Sequence, residues 1–225
     1  MVVLVSKYRL TPEDKMAPKD QALPEDQIWV FGYGSLMWRP DFAFVEHVVT
    51  RVHGYHRQFC VWSHRYRGSP RSPGLVLGLD RGGSCRGIAY RIAPDQAAEV
   101  LAYLDEREMI TGVYRPSRLA MSVINGETTG RRITAQSYVV DRAHPQYAGA
   151  LTAEELAALV IQGVGTAGPC LEYLINTVGH LTEIGMPDRR LERLLTLVRE
   201  MQAGHRPTPT PPVGPPAHPA NLHRA

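Results

Sequence analysis

Apolar residues fill positions 28–31 without alternation, as Ile28, Trp29, Val30 and Phe31. A short continuous run of this kind reads as a strand buried on both faces. The run breaks at Gly32-Tyr33-Gly34-Ser35 and resumes with Leu36-Met37-Trp38. β-Branched and aromatic residues then dominate residues 45–49 and 52–62, which predicts a long strand with a bend at Gly54. Residues 64–74 are basic and carry Gly68, Pro70 and Pro73, the signature of a loop. Residues 75–79 read as a buried strand. Residues 85–92 alternate, with Ile88, Tyr90 and Ile92 on one face. Arg81-Gly82-Gly83 lies between these two runs and predicts an antiparallel hairpin.

The period then changes. Pro94 and Asp95 start a helix over residues 95–108. Two more strands are expected at 118–124 and 133–140, with Asn125-Gly126 opening a hairpin turn. After that the pattern is helical. Thr152 and Glu155 form a capping box for a helix over 152–162. Further helices are expected at 170–184 and 188–201, separated around Gly185 and Pro187. Strands first and helices later, with hairpin connections and no internal repeat, predict an α+β fold built on an antiparallel sheet or barrel.

Composition trims the two ends. Residues 1–27 are polar and carry Pro12, Pro18 and Pro24, so they read as an N-terminal extension. Residues 203–225 hold seven of the 18 prolines and few large apolar side chains. Such a tail buries too little to offset its ordering entropy, and is expected to be disordered or polyproline II. The folded domain is then 28–202. Net charge is +3 with 21% charged residues, too mild a balance to imply nucleic acid. The three cysteines, Cys60, Cys85 and Cys170, are odd in number and widely spaced. They form neither a zinc framework nor a disulfide scaffold, and read as buried thiols in a reducing compartment. No apolar run reaches the ~20 residues of a membrane helix. Met1 to Val5 is too short for a secretion signal, so the expected location is the cytoplasm.

Two features carry candidate chemistry. The first is the Gly32-Tyr33-Gly34-Ser35 break. Glycine lets the backbone turn sharply and approach a ligand, and successive N–H groups in such a turn suit a carboxylate or phosphate. An ordinary tight turn reads the same way. The second is Glu108. Ala97, Leu101 and Leu104 fall at i, i+4 and i+7, and the next member of that series is Glu108. At ~100° per residue this carboxylate lies near the centre of the apolar stripe. A carboxylate there is either a structural ion pair with an arginine or a proton-transfer group with a raised pKa.

Other arrangements carry less. Residues 51–71 interleave arginines and histidines with Tyr55, Phe59, Trp62 and Tyr66, as a single-stranded nucleic-acid surface would. Strand alternation sends them to two faces, so nucleic acid is not expected. His53 and His56 are three apart on a strand and face opposite ways, which argues against a metal pair. Gly34-Ser35 is not a serine-hydrolase elbow.

Taken together, Phe31-Gly32-Tyr33-Gly34-Ser35-Leu36, Arg107-Glu108-Met109 with Gly112 and Tyr114, and Tyr173-Leu174 with Asn176-Thr177 resemble the ChaC-like γ-glutamylcyclotransferases. The residues after the glutamate, Met109-Ile110-Thr111-Gly112-Val113-Tyr114, follow the bacterial branch, which leaves open how strictly glutathione is preferred. The resemblance runs from residue 29 to the last helix. It implies a mixed barrel-like sheet with helices around it. It also implies cleavage of glutathione to 5-oxoproline and cysteinylglycine, with no metal and no cofactor. Glu108 matches the acid/base of that family. Gly32, Tyr33, Gly34, Ser35, Leu36 and Met37 match the segment that holds the γ-glutamyl α-carboxylate. Tyr114 matches a pocket tyrosine, and Tyr173 is a further candidate for the pocket wall. Glutathione is the expected partner, with no nucleic acid or membrane; the oligomeric state is not legible. The alternatives are a cyclotransferase for another γ-glutamyl amine, and a non-catalytic carboxylate- or nucleotide-binding module. The latter would have no pocket around Glu108.

Overall fold

The structure is a computed structural model and describes residues 28–215. The expected N-terminal extension, 1–27, and residues 216–225 of the tail lie outside the described residues. Five strands, β1 (Ile28–Gly32), β2 (Glu46–Ser63), β3 (Gly74–Ile92), β4 (Tyr114–Val123) and β5 (Arg132–Val140), close into a barrel in the order β1-β3-β2-β4-β5. Neighbours are antiparallel except at the closure, where β1 meets β5 in parallel with Val30 opposite Gln136. Closure leaves no long unpaired edge. Four helices follow the expected spans: α1 (Ala97–Glu108), α2 (Ala153–Gln162), α3 (Cys170–Glu183) and α4 (Arg189–Gln202). Two short strands, β6 (Val164–Gly165) and β7 (Gly168–Pro169), join α2 to α3. The fold is therefore α+β, as the sequence pattern predicts.

One expectation fails. Residues 75–79 and 85–92 do not form a hairpin; they belong to the single strand β3, 19 residues long. The pairing steps from His53 opposite Ser84 to Tyr55 opposite Arg81. Gly54 (φ 84°), Gly82 (105°) and Gly83 (70°) sit at that step. These are the conformations a turn would use, but here they make a bulge that bends both strands together and tightens their twist. The long β2–β3 pair can then curl around the barrel. Its true hairpin connection is the basic loop of residues 64–73.

The core fills the barrel and the space under the helices. Phe31, Phe59, Leu75, Leu79 and Tyr138 are buried inside it, and α1 adds Leu104. Helices α2, α3 and α4 pack on the outer face through Leu159, Leu174, Leu181 and Val198. Caps fix where two of them begin. The Thr152 and Glu155 side chains cap α2 reciprocally, and Asp188 accepts from the Arg190 N–H at 3.0 Å to start α4. All three cysteines are buried and free. Among the described residues no helix is long and apolar enough to cross a membrane. After α4 the chain has no regular structure, yet it does not leave the molecule at once. Gly214 lies against the Trp62 indole, where an added Cβ would stand 3.1 Å from the ring. Prolines keep such a segment extended at low entropic cost.

Candidate active site

The barrel positions the Gly32–Met37 segment by holding its carbonyl groups from behind. The Tyr90 hydroxyl donates to the carbonyls of Leu36 (3.0 Å) and Met37 (2.9 Å). Arg57, buried on β2, donates through Nε to the Tyr33 carbonyl and through Nη2 to the Arg86 carbonyl at 2.8 Å. Its Nη1 meets Asp188, the cap of α4, at 2.8 Å. Residues 35–37 form a single 3₁₀ turn. The first N–H groups of such a turn have no partner within it, so they are free to face a ligand.

Gly32 and Met37 do not line the cavity that the rest of the segment faces. Gly32 permits the turn: a Cβ there would lie 2.9 Å from the Leu36 Cβ. Met37 is buried behind the loop, with its sulfur beside Arg57. Tyr33, Gly34, Ser35 and Leu36 line the cavity, and so do Glu108, Tyr114 and Tyr173. The structure thus brings the loop and the glutamate, 70-odd residues apart in sequence, to one cavity of about 620 Å³. That volume is in the range of small-molecule sites.

Glu108 is the last residue of α1, and 20% of its side-chain surface is exposed. Burial pushes its carboxyl pKa up, and the neighbouring Arg107 guanidinium, 3.4 Å away, partly opposes that rise. Arg107 also donates to the Ser35 hydroxyl at 3.0 Å and to the Tyr103 hydroxyl at 3.1 Å, and pairs with Asp41 at 3.6 Å. One guanidinium therefore ties the end of α1 to the loop. Burial keeps the hydroxyls of Tyr33 and Tyr114 protonated far above their usual range, aided by the charge of Glu108 at Tyr33 and by Tyr33 and then Glu108 at Tyr114. Tyr114 donates to the Leu77 carbonyl at 2.6 Å. Tyr138 donates to Asp105 at 2.7 Å and closes the wall behind Glu108.

Another wall comes from the end of β2 and the loop after it, residues 61–67. Arg67 lies over the Tyr173 ring at 5.1 Å and donates to the Pro169 carbonyl at 3.2 Å. Four arginines (39, 65, 67 and 107) line the cavity against two carboxylates, Asp41 and Glu108. The site therefore favours an anionic ligand. It combines a carboxyl whose pKa burial raises, phenols that stay protonated, and a loop of backbone N–H groups. Sequence reasoning finds the loop, Glu108 and Tyr114. It does not assign Arg107, although Arg107 adjoins Glu108 in the quoted motif. It splits the basic-aromatic segment between two faces, whereas its last residues turn together into the cavity.

Comparison with known proteins bears on the family and the fold. Residues 28–201 match the family model described as ChaC-like protein. A glutathione-specific γ-glutamylcyclotransferase of Escherichia coli is 35% identical over 80% of this chain and 76% of its own length. A human glutathione-specific γ-glutamylcyclotransferase 1 is 34% identical over 76% of this chain and 77% of its own. The crystal structure of a yeast γ-glutamyl cyclotransferase specific to glutathione has the same fold. It superposes with a TM-score of 0.68 at 22% identity, covering 77% of this chain and 96% of that one. The motifs, the barrel and the family match agree, and the chain belongs to the ChaC-like protein family.

Proposed function

We propose that this chain is a γ-glutamylcyclotransferase that cleaves glutathione to 5-oxoproline and cysteinylglycine, with residues 28–202 as the catalytic unit and the cytoplasm as its place of action. The observation that carries this reading is the shared cavity of Glu108 and the Gly34-Ser35 loop. A binding module without catalysis would not need a half-buried carboxyl facing the same cavity as the loop. The names of the E. coli and human relatives support glutathione as the substrate.

The chemistry follows from the groups present. The α-carboxylate of the γ-glutamyl unit is held by the N–H groups of the loop, with Arg107 nearby as a cation. Anchored there, the γ-glutamyl chain folds so that its own α-amine faces the γ-carbonyl. The attack is then intramolecular, and well-oriented reactions of this kind gain effective molarities of roughly 10⁵–10⁸ M. The ammonium must first lose a proton. Glu108 takes it, the new C–N bond closes the five-membered ring, and the bond to the cysteine nitrogen breaks. Glu108 returns the proton to that nitrogen, and the second proton, which the ring nitrogen sheds as it becomes an amide, also ends on the freed amine, so cysteinylglycine leaves as an ammonium and the enzyme ends unchanged. Tyr33 and Tyr114 stay protonated, and their burial around Glu108 keeps bulk water from competing for the proton.

The test is to incubate the purified protein with glutathione and with a panel of γ-glutamyl amines, and to detect products by mass spectrometry. Equimolar 5-oxoproline and cysteinylglycine from glutathione are expected. Turnover of the other amines alone would move the assignment to a different γ-glutamyl substrate, and no 5-oxoproline from any of them would overturn it.

A further inference from the structure

Five of the nine residues 207–215, which follow α4, are proline. Pro207, Thr210 and Val213 are exposed, whereas Pro209, Pro212 and Pro215 are half-buried. An open face and a covered face that each repeat every third residue fit a polyproline II helix laid on a surface. The segment is anchored at both ends. Arg206, just before it, pairs with Glu200 of α4 at 2.9 Å and with Glu154 in the first turn of α2 at 3.9 Å. Gly214 meets the Trp62 indole and the Pro73 ring, where an added Cβ would stand 3.1 and 3.3 Å away. Gln162, in the last turn of α2, donates to the Pro73 carbonyl at 2.8 Å. The tail thus spans α2 from its first turn to its last.

Its far end reaches the active site from outside. Trp62 and His64 belong to the 61–67 wall of the cavity, whereas Pro73, Gly214 and Pro215 do not line it. Trp62 is buried with the tail in place, and the Pro215 carbonyl lies beside the His64 imidazole. Backbone bonds hold the wall elsewhere. The Trp62 N–H donates to the Gln146 carbonyl at 2.9 Å, which ties the 144–147 turn to the end of β2. The Arg65 and Tyr66 carbonyls accept from the Thr166 and Ala167 N–H groups at 2.8 and 2.9 Å, in the turn between β6 and β7. The tail adds side-chain cover where the wall begins. Its prolines restrict the undocked chain as well, so little conformational freedom is lost on docking.

We infer that residues 207–215 are a strap that holds the 61–67 wall in its substrate-binding position. This rests on the cyclotransferase reading above for what the cavity binds. The strap touches no substrate and is a positioning segment, acting through Trp62 and His64. Without it the wall visits shapes that do not bind, and apparent affinity falls with the fraction of time the competent shape is present. Once substrate is seated the wall is in place, and the chemical step is spared. The signature is a KM that rises while kcat changes little.

The test compares the full chain with a chain ended at Arg206, a chain ended at Pro215, and Gly214→Leu in the full chain. The first variant keeps α4 and the Arg206 ion pairs. Gly214→Leu keeps the tail but puts a side chain where the Trp62 indole stands. With glutathione as substrate, the Arg206-ended chain and Gly214→Leu should raise KM about tenfold, as for a wall competent a tenth of the time, and change kcat less than about threefold. The Pro215-ended chain should match the full chain. Acrylamide quenching of tryptophan fluorescence should increase in the same two variants as Trp62 is uncovered, a readout that needs no turnover. Unchanged KM in both, an equal rise in the Pro215-ended chain, or a loss confined to kcat would overturn the strap, whatever the melting temperatures. A full chain that forms no 5-oxoproline would overturn the cyclotransferase reading instead, and unchanged quenching would then still overturn the strap.

Discussion

At the scale of single residues, the site depends on how one carboxyl is balanced. Burial raises the pKa of Glu108 and the adjacent Arg107 charge lowers it. Glu108 must be ionised to accept the first proton, so the acid limb of the kcat–pH profile should report its titration and lie above the ordinary carboxylate range. Arg107→Gln leaves burial unopposed, and the acid limb should move to higher pH. Arg107→Lys, which keeps the charge, should move it less. An unshifted limb in Arg107→Gln would mean that the guanidinium serves the loop alone, through Ser35. The inward direction of Glu108 is legible in the sequence because a helix repeats every 3.6 residues, and Glu108 extends the series of Ala97, Leu101 and Leu104. The role of Arg107 is not legible that way. Its partners, Ser35 and Asp41, come from a loop that folds back onto α1 from more than 60 residues upstream.

At the scale of elements, local signals decide most outcomes. The Thr152–Glu155 capping box sets the start of α2, and Asp188 sets the start of α4. The misread element is instructive. Arg81-Gly82-Gly83 carries turn chemistry, yet the strands on either side run on, because β2 bends at Gly54 opposite the same point. Whether glycines with positive φ reverse the chain or only kink it depends on the partner strand, which local sequence does not specify. Arg57 shows how elements are coupled to the site. It joins the α4 cap, β3 and the Tyr33 carbonyl from a position almost wholly buried on β2. Arg57→Met should cost about 3 kcal/mol of stability in chemical denaturation, the usual penalty for removing one partner of a buried pair. It should also lower kcat, because the loop loses the donor behind Tyr33. Loss of stability with full activity would show that the loop holds its shape without this support.

At the scale of the whole molecule, the α+β class and the order of nearly every element can be read from periodicity. The closure cannot, because it depends on β1 meeting β5 in parallel across the chain. The cavity is likewise a product of closure. One wall is the loop after β1, another the end of α1, and the third the end of β2 with the 144–147 turn. No local window contains more than one of them. Motif resemblance links the first two walls in advance, whereas residues 61–67 join them only in the folded chain. The excess of arginine over carboxylate inside the cavity is also a property of the assembled molecule. It is invisible in a chain whose net charge is only +3.

The most direct measurement is the turnover of glutathione by the wild type and by Glu108→Gln, with thermal melting of both proteins at pH 7. Glutamine keeps the shape and hydrogen bonding of the side chain but cannot carry the proton. Its turnover should fall by roughly 10²–10⁴-fold, the range for a lost acid/base group. Burial raises the folded-state pKa of Glu108 above its unfolded value, so the ionised form burdens the folded state at pH 7. The variant should therefore melt at or above the wild-type temperature, which separates lost chemistry from lost folding. Equal turnover by the two proteins would contradict the assignment of Glu108.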